Sequence, residues 1–334
     1  MSSPDEPLKS EIDDEGAEHL EATVPALMDA MRIDRALAML TGCSRSEAVR
    51  LIEGGSVVVD GVAVTKPSQL LSEGGVVEAV LPAPSDGSVT PDASVDVTIA
   101  LLDDDVIVVN KPYSQVVHPG AGNHQGTMIA GVIARYPDVA KLAEEGVGEI
   151  GRPGIVHRLD KGTSGLLLIA RNKDAFESLS AQIASRGVER RYIAVVEGHV
   201  ESARGVVDAP IGRSATSPTK MTVRPDGREA RTHYEVITYL EQPSRTIIGA
   251  TLETGRTHQI RVHMAAIGHS VVNDPRYGQR NERSIDPERL ALHAGRVAFD
   301  HPTSGERVVV TAEVPSDMIV LGPMKQANEW LSAT

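Results

Sequence analysis

The 334-residue sequence contains a single cysteine, Cys43. That excludes an intrachain disulfide, and the clustered Cys/His spacing of a zinc site does not occur. Aromatic residues are nearly as scarce: six Tyr, two Phe and one Trp. So few flat side chains argue against a nucleic-acid reader that works mainly by stacking, and favour phosphate and shape contacts for any such partner. No run approaches the roughly 18 apolar residues a membrane helix needs, so no membrane association is expected. The N-terminus is acidic and lacks the apolar segment of a signal peptide. Together with the lone cysteine, this points to a reducing cytoplasm. There is no phosphate-cradling P-loop. No metal and no cofactor is expected.

The formal net charge is −13, which by itself argues against a polyanionic partner. Its distribution changes that reading. Residues 1–30 carry nine acids and one Lys, and residues 82–105 carry six acids and no Lys or Arg. Residues 31–81 are at −1 and residues 106–334 at +2. The acid lies in a leader and a linker, where such composition favours disorder. The remainder is near neutral, so binding of nucleic acid would need local basic faces.

The organisation follows from these shifts. Residues 1–30 are expected to be an acidic, disordered tail. Residues 31–81 form a small unit, with Ile33, Leu37 and Leu40 at helical spacing. Ser44-Arg45-Ser46-Glu47 reads as a capping box for a second helix closed by Gly54-Gly55, and Asp60-Gly61 marks a hairpin. Residues 82–95, rich in Pro, Ser and Asp, read as a linker. In residues 96–334, strand-like runs predominate: Val106–Asn110, Leu166–Ala170, Ile193–Glu197, Tyr234–Tyr239 and Thr246–Glu253, after a first run at Val95–Leu101. One amphipathic helix is clear at Lys173–Arg186, and a second is expected over Thr257–Ile267. Too few crossover helices occur for a doubly wound parallel sheet. The expected class is α+β, with a mixed, mainly antiparallel sheet flanked by helices and loops.

The stretch His157-Arg158-Leu159-Asp160-Lys161-Gly162-Thr163-Ser164-Gly165 carries the most chemistry. One carboxylate stands between two cations, two glycines follow, and the apolar run Leu166–Ala170 reads as a strand buried on both faces. Asp160 would then sit on a turn held by a rigid element and open to a ligand. Such an acid should stay ionised and could act as nucleophile or base. The alternative is a surface turn with a local ion pair.

The wording of this stretch resembles the catalytic signature of the RluA/RluD family of pseudouridine synthases. Four further segments agree in order: Asn110-Lys111-Pro112 running to His118-Pro119-Gly120, Arg190–Gly198, Thr254–His263, and Leu292-His293-Ala294. The resemblance spans residues 31 to 320, approximately. It implies an RNA isomerase that needs no metal, nucleotide or redox cofactor. Asp160 would be its essential aspartate, acting by addition to the ribose, addition to the uracil ring, or a glycal-type route. Tyr192 would stack on the extracted uracil and accept a proton late in the reaction. Arg261 would pair with Asp160 and keep it charged, with Arg256 as the alternative partner or a phosphate contact. Arg158 would enter the RNA and help expel bases. Lys161 would be a phosphate contact, and Lys111-Pro112 would shape the site.

Residues 31–81, with Arg32, Arg35, Arg45, Arg50 and Lys66, resemble the RNA-binding αL motif of the S-four-like domain. His258 and His263 are five apart, unlike the i, i+4 pair of a helical zinc site. They, His157 and His118 read as hydrogen-bonding framework. The combination implies a monomeric, cytoplasmic enzyme of the RluD type, acting on large-subunit (23S) rRNA or a pre-ribosomal particle. The rivals are a synthase for tRNA or another rRNA site, and a noncatalytic RNA-binding assembly factor. A glycoside hydrolase is a distant third, because no second carboxylate stands in a matching motif.

Overall fold

In the computed structural model, residues 8–12, 18–41, 43, 45–81, 89–119, 126–148, 151–214, 217, 220–278, 289–319 and 323–333 are described. The chain divides into two compact units. One takes Met1–Pro84 with Gly120–His124 and Arg213–Thr222; the other takes Ser85–Pro119, Gln125–Gly212 and Val223–Thr334.

In the first unit, strands β1 (Leu8–Ile12) and β2 (Glu18–Thr23) precede α1 (Ile33–Thr41) and α2 (Arg45–Glu53). Then come β3 (Val57–Val59), β4 (Val62–Ala63) and β5 (Val76–Leu81), giving an antiparallel sheet of order β1-β2-β5-β3-β4. The expected hairpin is present: Asp60 and Gly61 both take positive φ, 50° and 75°, as a tight primed turn requires. Gly54 and Gly55 close α2, and Ser56 N–H returns to the Leu51 carbonyl at 2.9 Å. Of the capping box at Ser44–Glu47, Ser44 lies outside the described residues, while residues 45–47 begin α2.

Of the disordered tail expected at residues 1–30, the stretch 18–30 is corrected here. Glu18–Thr23 pairs along β5 and buries Leu20 and Ala22, followed by Val24 and Met28. Leu20, Ala22 and Val24 alternate with polar residues, the period of a half-buried strand. The density of acids hid that signal.

The second unit is built on a nine-stranded sheet. Its strands are β6 (Ile99–Leu102), β7 (Val106–Lys111), β8 (Ser164–Ala170), β9 (Glu189–Glu197) and β10 (Arg204–Asp208). After two short strands, β11 (Ile211–Arg213) and β12 (Met221–Val223), come β13 (Arg231–Leu240), β14 (Arg245–Leu252), β15 (Leu292–Asp300) and β16 (Arg307–Thr311). The order is β10-β13-β14-β9-β15-β8-β7-β6, with β16 beside β15. Every pairing is antiparallel except β15 with β8. The sheet is thus mixed and mainly antiparallel, as the sequence suggests. The end of the expected linker belongs to this unit: Val95 is buried and Asp92 N–H donates to the Ala130 carbonyl at 3.0 Å.

Alternation along the strands divides the packing. Ile107, Val109, Leu167 and Ile169 share a core with α3 (Met128–Arg135) and α4 (Asp138–Glu144). Val106, Val108, Leu166 and Leu168 share another with Ala175 and Leu179 of α5 (Lys173–Ala184). Each such buried aliphatic contributes about 1.5–3 kcal/mol over exposure. Every residue of β8 is buried, so the Asp160 turn leads into a strand fixed on both faces.

Gly165 is where β8 meets β15. Its φ is 116°, and a Cβ there would collide with the Ala294 carbonyl oxygen. Gly165→Ala is therefore expected to destabilise the fold by about 2 kcal/mol or more. Thermal unfolding measures this, and an unchanged midpoint would show that the close approach is dispensable.

Candidate active site

The Asp160 turn is clamped from below. Lys111, at the end of β7 and 1% exposed, donates Nζ hydrogen bonds to the carbonyls of Pro112, Gln115 and Lys161, at 3.0, 3.0 and 3.1 Å. Its charge is spent on the backbone next to Asp160, and Thr163 N–H closes the turn on the Asp160 carbonyl at 3.0 Å.

Arg261 lies on α6 (Gln259–Ala266) and is fully buried. Its Nη1 donates to Asp160 Oδ2 at 3.0 Å. The two-pronged fork goes elsewhere: Nε and Nη2 donate to Asp274 at 2.8 and 3.0 Å. Asp274 is itself fixed, accepting from the backbone N–H groups of Arg276 and Tyr277 at 2.9 and 3.1 Å. The guanidinium also lies 5.3 Å from the Tyr277 ring centroid. The sequence gives no hint of Asp274. A buried arginine that serves one carboxylate with one arm needs another for the rest of its charge, and that requirement is the only signal.

The helix opens at His258 in the left-handed conformation, φ 54°, a cost of order 1–2 kcal/mol for a non-glycine residue. Its ring is buried, with Nδ1 2.8 Å from the Tyr277 hydroxyl. Gln259 ties the start of α6 to Thr254, Arg256, Arg231 and Thr232. His263 bonds Thr232 and the Ala209 carbonyl, both at 2.9 Å, as framework.

Asp160 and Arg261 line a cavity of about 380 Å³ with Arg158, Tyr192, Arg256, His118, His157 and His258. Lys161 is not among the lining residues. Burial is the largest influence on the Asp160 carboxyl and pushes its pKa up. The charges of His258, Arg261 and Arg158 and the bond from Arg261 outweigh it, so the carboxyl titrates below its ordinary value. Tyr192 is 5% exposed, and burial pushes its phenol up to about 12. Near neutral pH the side chain is therefore an uncharged phenol with a flat ring at the cavity. Among the described residues, no group of three or more His, Cys, Asp or Glu side chains could hold a metal.

In the first unit, the side chains of Arg32 and Arg45 converge on buried Asp34 at 2.8 and 3.1 Å while remaining half exposed. Arg35, Arg50 and Lys66 are exposed. Asp34 is a second acid the sequence reading missed, because its role depends on Arg45, 11 residues away. No helix among the described residues is long and apolar enough to cross a membrane.

Comparisons with known proteins show the family. The family model for RNA pseudouridylate synthase matches residues 105–266, and that of the S4 domain matches residues 31–77. The chain is 43% identical over 291 residues to the RNA pseudouridine synthase YlyB of Bacillus subtilis, covering 87% of this chain and 92% of that protein. It is 41% identical over 314 residues to the ribosomal large subunit pseudouridine synthase D of Zymomonas mobilis, covering 91% and 96%. The solved structure of human RNA pseudouridylate synthase domain containing 1 matches with a TM-score of 0.56 at 27% identity, covering 73% of this chain and 98% of that one. The chain belongs to the RNA pseudouridine synthase family, isomerases that convert uridine to pseudouridine in RNA.

Asp274→Asn tests how Arg261 is held. The substitution keeps Arg261 charged and leaves one acceptor in place, so the acid limb of the pH–rate profile should not move up. Loss of the fork loosens the geometry, and the single-turnover rate is expected to fall about tenfold or more. Arg261→Lys in the same assay should shift the acid limb toward higher pH, because burial then meets weaker opposition. A wild-type rate in Asp274→Asn would make that carboxylate irrelevant to the site.

Proposed function

We propose that this protein isomerises specific uridines of large-subunit ribosomal RNA, with Asp160 as the carboxylate at the glycosidic bond. The observation that carries the reading is the single hydrogen bond from a fully buried, externally anchored Arg261 to Asp160 at a cavity wall. Support for the RNA class comes from relatives whose names specify the large ribosomal subunit.

The reaction breaks the bond from uracil N1 to the ribose anomeric carbon and forms one from C5 to the same carbon. C5 loses a proton and N1 gains one, so no redox partner is needed. An ionised carboxylate can add to the ribose, add to the ring, or assist a glycal route. Each demands that Asp160 stay charged while RNA covers it. RNA excludes water and brings phosphates of like charge, and both raise a carboxyl pKa. Arg261 opposes that rise. Tyr192 offers its ring to the extracted uracil and its hydroxyl oxygen as a proton acceptor late in the reaction. Arg158 and Arg256 at the cavity face the incoming strand. The cavity retains the freed base during rotation.

Residues 31–81 place the RNA, with Arg32, Arg35, Arg45, Arg50 and Lys66 as phosphate contacts; Asp34 sets the first and third in position. Residues 96–334 carry the chemistry. The enzyme works as a cytoplasmic monomer without metal or cofactor, away from membranes.

Asp160→Asn is expected to abolish isomerisation in single-turnover assays while RNA affinity stays within about threefold, since size is kept and only charge is removed. Near wild-type turnover would remove Asp160 from the mechanism. Mapping pseudouridines in rRNA and tRNA from cells with and without the protein identifies the substrate. Sites that vanish from the large-subunit rRNA support the reading, and losses confined to tRNA contradict it.

A further inference from the structure

The cavity continues past Tyr192. Arg190 and Tyr192 are two residues apart on β9, so they project to the same face of the sheet, about 6.6 Å apart along the strand. Arg190 lines the cavity together with His157, Gly255 and Arg256.

Five arginines of the described residues are buried: Arg190, Arg245, Arg261, Arg289 and Arg296. Four of them pair with a carboxylate. Arg245 meets Glu197 at 3.6 Å, Arg261 meets Asp274 at 2.8 Å, Arg289 meets Asp317 at 2.7 Å and Arg296 meets Glu189 at 2.8 Å. Arg190, 5% exposed, pairs with no carboxylate among the described residues. It makes one long bond, 3.4 Å, from Nη2 to the Glu253 carbonyl, and its Nε finds no acceptor. An uncompensated buried cation is unfavourable. Such a cation at a substrate cavity calls for an anion from the substrate.

His157 supplies a second donor. Its Nε2 accepts the Leu168 N–H at 3.0 Å, and burial followed by the charge of Arg190 pushes its pKa down to about 3. The neutral ring therefore carries its proton on Nδ1, which has no acceptor among the described residues. Two buried donors without acceptors thus stand on one cavity wall. Gly255 fits the same purpose: a Cβ there would lie 2.7 Å from Arg190 Nη1, so glycine lets the guanidinium lie against the backbone. Arg256, also at the cavity, has its pKa lowered by burial and then by the charge of Arg228, with Glu229 opposing and Arg186 adding to the shift.

We propose that Arg190 and His157 bind the phosphate that flanks the target uridine. The subsite rests on the reading of Asp160 as the carboxylate at the glycosidic bond. With the ribose at Asp160 and the base against Tyr192, the nucleotide's own phosphate is the anion one strand step away. A uracil carbonyl could accept the same hydrogen bonds but would leave the guanidinium charge uncompensated.

The test is a binding cycle on full-length protein. The probes are oligoribonucleotides containing the mapped target uridine, one with native linkages and two with a single uncharged methylphosphonate on the 5′ or 3′ side of that uridine. One methylphosphonate is expected to weaken binding to the wild type about tenfold. It should cost Arg190→Gln less than twofold and Arg190→Lys an intermediate amount. An equal penalty in wild type and Arg190→Gln overturns the subsite, as does no penalty at either linkage in the wild type. Should Arg190→Gln not fold, His157→Asn takes its place; a penalty at least halved supports the subsite and an unchanged one overturns it. Wild-type turnover of the native RNA is measured alongside. If that RNA is isomerised while coupling is absent, the subsite alone fails; if it is not isomerised, the reading of the reaction fails.

Discussion

The functional part of this structure depends on one buried guanidinium. Arg261 has no exposure to solvent and is held by the fork of Asp274, which leaves a single arm for Asp160. A carboxylate at the wall of a cavity is pushed toward its neutral form by burial, and under the proposed function also by the phosphates that approach it. A flexible surface cation would be drawn to those phosphates instead. An arginine locked from behind by a second carboxylate cannot leave. Two of its donors go to Asp274 and one to Asp160, the acid proposed to react, so placing the charge and using it are separate tasks.

The same logic recurs elsewhere in the chain. Lys111 is buried and charged, yet its donors go to three backbone carbonyls, one of them beside Asp160. Asp34 is buried and draws two arginines into fixed positions while leaving them half exposed. In each case a buried charge acts through what it orders. Arg190 departs from this pattern: among the described residues it pairs with no carboxylate, which is what the proposed phosphate subsite would supply.

Much of the site was legible in the sequence because the chemistry sits in contiguous wording. Asp160, Tyr192 and Arg261 stand inside recognisable segments, and the all-buried β8 follows from the run Leu166–Ala170. Asp274 was not legible: it follows Val271-Val272-Asn273 in no periodic pattern, and its partner is on a different element. Strand β15 was missed for a related reason. Leu292–Phe299 is buried at every position, so no alternation appears, and Gly295 and Arg296 interrupt the apolar run; Arg296 is accommodated by Glu189 at 2.8 Å. The strand Glu18–Thr23 was hidden by acidity, although its alternation was present. Composition describes a segment's average, whereas burial depends on which positions alternate.

The central claim concerns the charge state of one carboxyl, and it can be observed without turnover. A carbon-detected NMR titration of the aspartate side chains in the free wild-type enzyme reports Asp160 directly. The expected result is a titration below the ordinary value of 3.8, moving upward when Arg261 is replaced by Gln. An Asp160 that titrates above 3.8 in the wild type, or is unmoved by that replacement, would contradict the claim that the anchored guanidinium keeps it ionised.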